Sequence, residues 1–145
     1  MRFLLPILSL PLLLVSCRPA ELAPVAVAPP PLKLPVSVQK LKPEQVLAIR
    51  QSTPDLIIID LRENGEIKLD GRLAGTTHFV DYLNTTAFNE LVAKLDPTKP
   101  CLLCCALGGR AEHAAADMSA KGFKNLMILD GGFDAWLRAG QAMEK

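Results

Sequence analysis

A cysteine, two glycines and an arginine lie close together in the segment Cys105-Ala-Leu-Gly-Gly-Arg110. The apolar run 101–105 comes first and is typical of a strand that is buried on both faces. A helix is predicted over 110–121, so the segment turns the chain from a strand into a helix. In parallel α/β sheets such turns lie at the carboxyl ends of the strands, where ligands bind. This position suits chemistry at the cysteine.

The residue types in this turn favour a reactive thiol. Gly108 and Gly109 allow a tight turn with backbone N–H groups pointing inward, which forms a nest for an anion. The helix N-terminus adds partial positive charge, and Arg110 adds a full positive charge. These surroundings favour the thiolate of Cys105, which is the nucleophilic form. A buried structural cysteine in a tight turn is the alternative, because cysteine is also among the most buried residue types.

Strands and helices alternate over residues 36–145, and they must position this turn. Strands are predicted at 36–38, 56–59, 77–80, 101–105 and 126–129, and helices at 43–50, 87–95, 110–121 and 133–138. This alternation predicts right-handed βαβ units with a mostly parallel sheet, and therefore an α/β domain. The helix over 110–121 has an inner apolar stripe of Ala111, Ala114, Ala115 and Met118, and Gly122 is expected to end it.

The first 35 residues predict export and lipidation. Ten of the thirteen residues 3–15 are apolar, but a membrane-spanning helix needs about 20 residues. Leu14-Val15-Ser16-Cys17 resembles the lipobox of bacterial lipoproteins, which implies a signal peptide over 1–16 and a lipidated Cys17. An ordinary signal peptide with a chance cysteine is the alternative. Six prolines within 18–35 predict an extended tether, so residues 17–35 would hold the domain at the periplasmic side of the cell envelope.

Composition excludes several classes of partner. Sixteen Lys and Arg against fifteen Asp and Glu give a net charge of +1, so no basic excess favours a nucleic acid. The four cysteines, three of them within 101–105, lack the spread of a disulfide framework. His78 and His113 have no carboxylate or cysteine at the spacing of metal ligands, so no metal site is expected.

The turn Cys105–Arg110 resembles the C-x-x-G-x-R active-site loop of rhodanese-type sulfurtransferases. Three other segments are similar to this family in the correct order: LIIIDLRE at 56–63, GRLAG at 71–75, and the closing stretch 122–136 with Gly-Phe-Lys-Asn, Asp-Gly-Gly-Phe and a tryptophan. Together the four segments cover nearly all of 36–145. The resemblance implies one rhodanese-like domain over 36–145, with a five-stranded parallel sheet and helices on both faces.

The resemblance also implies an activity. Cys105 would be the nucleophile that takes a sulfane sulfur from thiosulfate or a persulfide donor and carries it as a persulfide. The loop residues Ala106, Leu107, Gly108 and Gly109 would bind the substrate, and Arg110 would stabilise the anion and the loop. No metal or organic cofactor is implied. The expected partners are the small sulfur donor, a thiol or cyanide acceptor, and the membrane through the lipid on Cys17.

Residues outside the loop receive weaker predictions. Asp60 ends a strand at the same sheet edge as Cys105, so it is expected to bond loop amides, to pair with Arg110, or to be a solvated turn residue. Arg62 and Glu63 are expected in surface or loop-bracing pairs worth under about 1 kcal/mol each. The stretch 68–70 is expected in a surface loop.

Cys104 is expected to face away from Cys105 and into the core, since neighbouring side chains on a strand point to opposite faces. The enzyme needs Cys105 to be reduced and accessible. A rhodanese-like binding or sulfur-sensing module is the alternative, in which Ala106 and Leu107 would form an unreactive part of the docking surface. Those two residues bring no charge, so thiosulfate, a dianion, is expected to bind weakly.

A cysteine phosphatase is a further alternative that loop length disfavours. Phosphatases of related fold have one more residue between the cysteine and the arginine than the four found between Cys105 and Arg110. The shorter loop is better suited to binding a group the size of a sulfur atom than to binding a tetrahedral phosphate.

Overall fold

The computed structural model describes Leu32, Leu34, Pro35 and residues 37–145. The predicted signal peptide at 1–16, the lipidated Cys17 and most of the tether therefore lie outside the described residues. Within the described ranges, no helix combines the length and the apolar character that crossing a membrane requires.

Strands and helices alternate along most of the described chain. In chain order the elements are β1 (Val38–Leu41), α1 (Pro43–Ser52), β2 (Ile57–Asp60), α2 (Asn64–Asp70), β3 (Arg72–Leu73), β4 (His78–Phe79), α3 (Thr85–Lys94), β5 (Cys101–Cys104), α4 (Gly109–Ala120), β6 (Leu126–Leu129), α5 (Gly132–Arg138) and β7 (Met143–Glu144). Five strands form a parallel sheet in the order β1-β6-β5-β2-β4. The strand that carries the cysteines is therefore the central one.

Helices cover both faces of this sheet, as predicted. One apolar cluster joins the sheet to α3 and α4, and the other joins it to α1 and α5. Cys101 and Cys105 belong to the first cluster, and Cys104 belongs to the second. The predicted opposite orientation of Cys104 and Cys105 is therefore confirmed, and it follows from the alternation of side chains along a strand.

Helix α4 packs on the sheet through the predicted stripe. Ala111, Ala114, Ala115 and Met118 are fully buried. Gly122 follows the helix with φ +96°, a left-handed conformation that favours glycine and ends the helix as expected. This packing places the N-terminus of α4 directly after the cysteine strand.

Some predicted boundaries are wrong. The stretch 68–70 lies in α2 and not in a surface loop. This helix has no buried residue, so it lacks the apolar stripe that predicts a helix, and a capping box between Glu63 and Glu66 holds its start. β1 spans Val38–Leu41 and so ends three residues after the predicted end at 38, because the exposed Gln39 and Lys40 of this edge strand interrupt the apolar run. The short antiparallel pair β3 and β7 was also not predicted.

Candidate active site

Cys105 lies at the carboxyl end of the central strand β5 and just before α4. Gly108 is the N-cap residue of α4 and has φ +105°, a conformation that residues with a Cβ rarely adopt. In this conformation its N–H group donates a hydrogen bond to Sγ of Cys105 over 3.1 Å. This amide is one inward-pointing N–H group of the kind that the predicted nest requires.

The N-terminus of α5 holds the same loop from another side. The N–H group of Phe133 donates to the carbonyl oxygen of Cys105 at 2.8 Å, and that of Asp134 donates to the carbonyl oxygen of Ala106 at 3.1 Å. In a trans peptide the C=O and the following N–H point in opposite directions. The N–H groups of Ala106 and Leu107 therefore face away from α5.

Gly132 makes this approach of α5 possible. Its φ is +63°, and a Cβ there would lie 2.4 Å from the carbonyl oxygen of Cys105 and 2.5 Å from that of Ala106. Glycine is the residue that fits such a contact. The Asp-Gly-Gly-Phe stretch at 130–133 was visible in the sequence, but no local pattern shows that its second glycine touches the cysteine loop. Gly132 is thus a positioning residue that sequence reasoning missed.

The thiol itself is enclosed. Cys105 is 1% exposed, whereas Leu107 at the crest of the loop is 72% exposed. The expectation of an accessible Cys105 is therefore wrong for this conformation. The side chain packs in the apolar cluster on the α3–α4 side, and the N–H of Gly108 covers Sγ. In this conformation almost none of the Cys105 surface is open to solvent.

Arg110 pairs with a carboxylate of α2. Its Nη1 and Nη2 donate to the two carboxylate oxygens of Glu66 at 2.8 and 2.7 Å. Hydrogen bonding within this pair raises the pKa of Arg110 and lowers the pKa of Glu66. The positive charge predicted for the loop is therefore largely compensated, and the pair ties the first turn of α4 to α2. The predicted pairing of Arg110 with Asp60 is wrong.

Asp60 instead forms a buried ion pair with Arg62. Nε and Nη2 of Arg62 donate to the Asp60 carboxylate at 3.0 and 2.7 Å, and the side chains of Arg62 and Asp60 are 1% and 0% exposed. Asp60 is thus neither solvated nor bonded to the loop, and Arg62 is not in a surface pair. Burial acts to lower the pKa of Arg62, but its hydrogen bonds to Asp60 and the charge of that carboxylate raise it overall. The guanidinium carbon lies 3.8 Å from the ring centroid of Phe133.

The other two described cysteines are buried thiols. Burial raises the pKa of Cys104 well above its usual range and raises that of Cys101 to about 11. Both therefore stay protonated near neutral pH and are poor nucleophiles. Within the part of the chain that the structure describes, no three His, Cys, Asp or Glu side chains lie close enough together to hold a metal ion.

A five-stranded parallel sheet with helices on both faces, and a cysteine loop at the carboxyl end of its central strand, define this protein as an α/β domain with a candidate nucleophile at the usual ligand-binding edge. Comparison with known proteins gives the family. The family described as "Rhodanese-like domain" matches residues 42–139, and the chain belongs to this rhodanese-like family. The predicted family and fold are thereby confirmed.

Named relatives support the class of activity. The thiosulfate sulfurtransferase GlpE of Pseudomonas entomophila is 30% identical over 98 residues, which cover 68% of this chain and 84% of the relative. The polysulfide-sulfur transferase homodimer of Wolinella succinogenes is 30% identical with a TM-score of 0.61, covering 74% of this chain and 78% of that one. A Rhodopseudomonas palustris protein of unknown function, described as a possible tyrosine phosphatase, is 28% identical with a TM-score of 0.60 and coverage of 74% and 86%. The chain is a rhodanese-type sulfurtransferase.

Proposed function

We propose that the protein transfers a sulfane sulfur through a persulfide on Cys105. The donor is thiosulfate or a persulfide, and the acceptor is a thiol or cyanide. The observation that carries this proposal is the hydrogen bond from the Gly108 N–H to Sγ of Cys105 at 3.1 Å. An N–H group that donates a hydrogen bond to this sulfur stabilises the negative charge that the thiolate and the persulfide carry.

The transfer has two balanced steps. The Cys105 thiolate attacks the outer sulfur of thiosulfate, the S–S bond of the donor breaks, and sulfite leaves with the electron pair. Cyanide or a thiolate then attacks the outer sulfur of the persulfide, and Sγ of Cys105 regains its electron pair as the thiolate. Two-step covalent transfer of this kind predicts ping-pong kinetics.

The charges around the loop support a weakly charged donor. Ala106 and Leu107 bring no charge, Arg110 is paired with Glu66, and Arg62 is paired with Asp60. A dianion such as thiosulfate therefore meets little uncompensated positive charge at this loop. We expect persulfide donors of lower charge to react with Cys105 at lower concentrations than thiosulfate.

Intact mass spectrometry tests the persulfide directly. After reduction and exposure to thiosulfate or polysulfide, the protein should gain one sulfur atom, and cyanide should remove that atom as thiocyanate. Cys105→Ser should abolish the gain. Cys104→Ser is the matched control and should retain it, because that thiol lies on the opposite face of β5. If Cys105 takes up sulfur from none of the donors, the proposal is overturned.

A sulfur-sensing or binding module is the second candidate function. The burial of Cys105, which is 1% exposed, favours it, because a docking surface does not need an open thiol. In that case the mass measurement should show no turnover: sulfur would either fail to add or remain on Cys105 when cyanide or a thiol is supplied.

The envelope location is also a proposal, and it is supported by the sequence. Residues 1–16 would be the signal peptide and Cys17 the lipidated N-terminus, with the domain on the periplasmic side. Processing should be sensitive to globomycin, the protein should partition into detergent, and Cys17→Ser should abolish both properties. An uncleaved protein in the cytoplasm would contradict this location.

A further inference from the structure

Glu66 holds the guanidinium of Arg110 with both of its carboxylate oxygens. Oε2 accepts from Nη1 at 2.8 Å, and Oε1 accepts from Nη2 at 2.7 Å. Oε2 also accepts from the backbone N–H of Glu63 at 2.8 Å, in the capping box that starts α2. Three hydrogen bonds therefore hold this carboxylate in place, and bidentate arginine–carboxylate pairs are among the stronger hydrogen-bonded contacts.

Arg110 lies within electrostatic reach of the reacting sulfur. It is in the first turn of α4, and the N-cap residue of that helix, Gly108, donates to Sγ of Cys105. The hydrogen bond to Glu66 raises the pKa of Arg110, burial opposes this, and the charges of Glu66, Cys105 and Asp81 add to the increase. The guanidinium and a thiolate at Cys105 therefore interact, so the net charge of the Arg110–Glu66 pair acts on a charged group that approaches this sulfur.

The neighbouring charges do not replace the positive charge that Glu66 compensates. Arg62, which follows β2, is buried and paired with Asp60, and Asp81 is a further carboxylate whose charge reaches Arg110. The Arg110–Glu66 pair itself is half-buried, with side chains 22% and 31% exposed. A change of charge in this pair therefore alters the electrostatics at the loop at little cost in stability.

We propose that Glu66 is a specificity-determining residue of the sulfur transfer: it compensates the charge of Arg110 and thereby selects sulfur donors of low negative charge over dianions. This inference rests on the proposed function, because it assigns the residue that sets the donor class of the same persulfide. Each negative charge on a donor meets a neutral pair instead of a free cation. The disadvantage of a donor therefore grows with its charge.

Thiosulfate and methanethiosulfonate are the matched donors that measure this selectivity. In both donors the outer sulfur is bonded to an oxidised sulfur, but thiosulfate carries two negative charges and methanethiosulfonate carries one. The Cys105 thiolate attacks the outer sulfur, the S–S bond of the donor breaks, and sulfite or methanesulfinate leaves with the electron pair. The outer sulfur stays on Cys105 as the persulfide, so the two reactions form the same product from donors of different charge.

Glu66→Gln keeps a hydrogen-bond acceptor for Arg110 and removes the negative charge. Single-turnover loading rates, expressed per Cys105 thiolate, should rise about tenfold with thiosulfate and about threefold with methanethiosulfonate, because the added charge acts on two negative charges in one donor and on one in the other. Arg110→Gln should shift the ratio of the two rates in the opposite direction. Glu112→Gln is the matched control: this side chain is 29% exposed and also lies in the first turn of α4, but it pairs with Lys40. The control should keep the ratio of the wild type.

Alkylation of the unloaded protein separates this inference from the proposed function. Iodoacetate carries one negative charge and iodoacetamide carries none, and the ratio of their rates at Cys105, followed by peptide mass mapping, should rise about threefold in Glu66→Gln. If sulfur loads but the donor ratio stays at its wild-type value, the role of Glu66 is wrong while the persulfide stands. If no donor loads sulfur but the alkylation ratio rises, the persulfide is wrong and the selection against anions by Glu66 stands. If neither occurs, both are overturned.

Discussion

Two arginine–carboxylate pairs, one after strand β2 and one between helices α2 and α4, lie near the cysteine loop, but they differ in how far water reaches them. Asp60 and Arg62 at the end of β2 are 0% and 1% exposed, whereas Glu66 and Arg110 are 31% and 22% exposed. Removing one partner of a buried pair leaves an unpaired charge without water, whereas a pair that water partly reaches contributes less. We therefore expect the buried Arg62–Asp60 pair to contribute more to the stability of the fold than the half-buried Arg110–Glu66 pair.

Asp60→Asn tests the buried pair and should have the largest effect. It leaves the buried charge of Arg62 with only the partly exposed carboxylate of Asp70 at 3.9 Å, so the free energy of unfolding should fall by about 3–5 kcal/mol. Urea unfolding measures this, with Glu66→Gln as the comparison at the half-buried pair. If both variants unfold at the same urea concentration, burial does not distinguish the two pairs.

Gly132→Ala tests the contact between α5 and the cysteine loop. The added Cβ would collide with the carbonyl oxygens of Cys105 and Ala106 and displace the loop, so the rate of sulfur loading should fall about 100-fold. Gly140→Ala is the matched control, because Gly140 has φ +66° and a Cβ added there would meet no atom within 4 Å. Equal loading rates in the two variants would show that the close contact is not needed.

Glu66→Gln should cost under about 1 kcal/mol at neutral pH, and its effect should depend on pH. The hydrogen bond from Arg110 lowers the pKa of Glu66 below its ordinary 4.5 in the folded chain. The stabilisation by this pair is therefore complete above that ordinary pKa and is lost as the pH falls through the lowered one. Urea unfolding of wild type and variant should differ by a constant amount near neutral pH and converge in acid. A difference that grows in acid would contradict this assignment.

Lys40→Met should have the smallest effect of the series. Lys40 pairs with Glu112 between β1 and α4, and its side chain is 45% exposed. The free energy of unfolding should change by less than about 0.5 kcal/mol. A larger loss in urea unfolding would mean that exposure alone does not rank these pairs.

Buried parallel strands were the most predictable part of the fold. β6 spans Leu126–Leu129 as predicted, and β2 and β5 agree within one residue, because strands covered on both faces are continuous apolar runs. α2 was not predicted, since all its residues lie outside the core and it has no apolar period to detect.

The position of the thiol can be predicted from the sequence: Cys105 ends an apolar strand and precedes two glycines and a helix with one stripe of small residues. These are local features, and hydropathy period and turn residues report them directly. The pairing of Asp60 with Arg62, the contact of Gly132 with the loop and the burial of Cys105 are visible only in the folded chain. Each of these depends on how the chain packs around the sheet, which sets burial and pairing, and no local pattern encodes that packing.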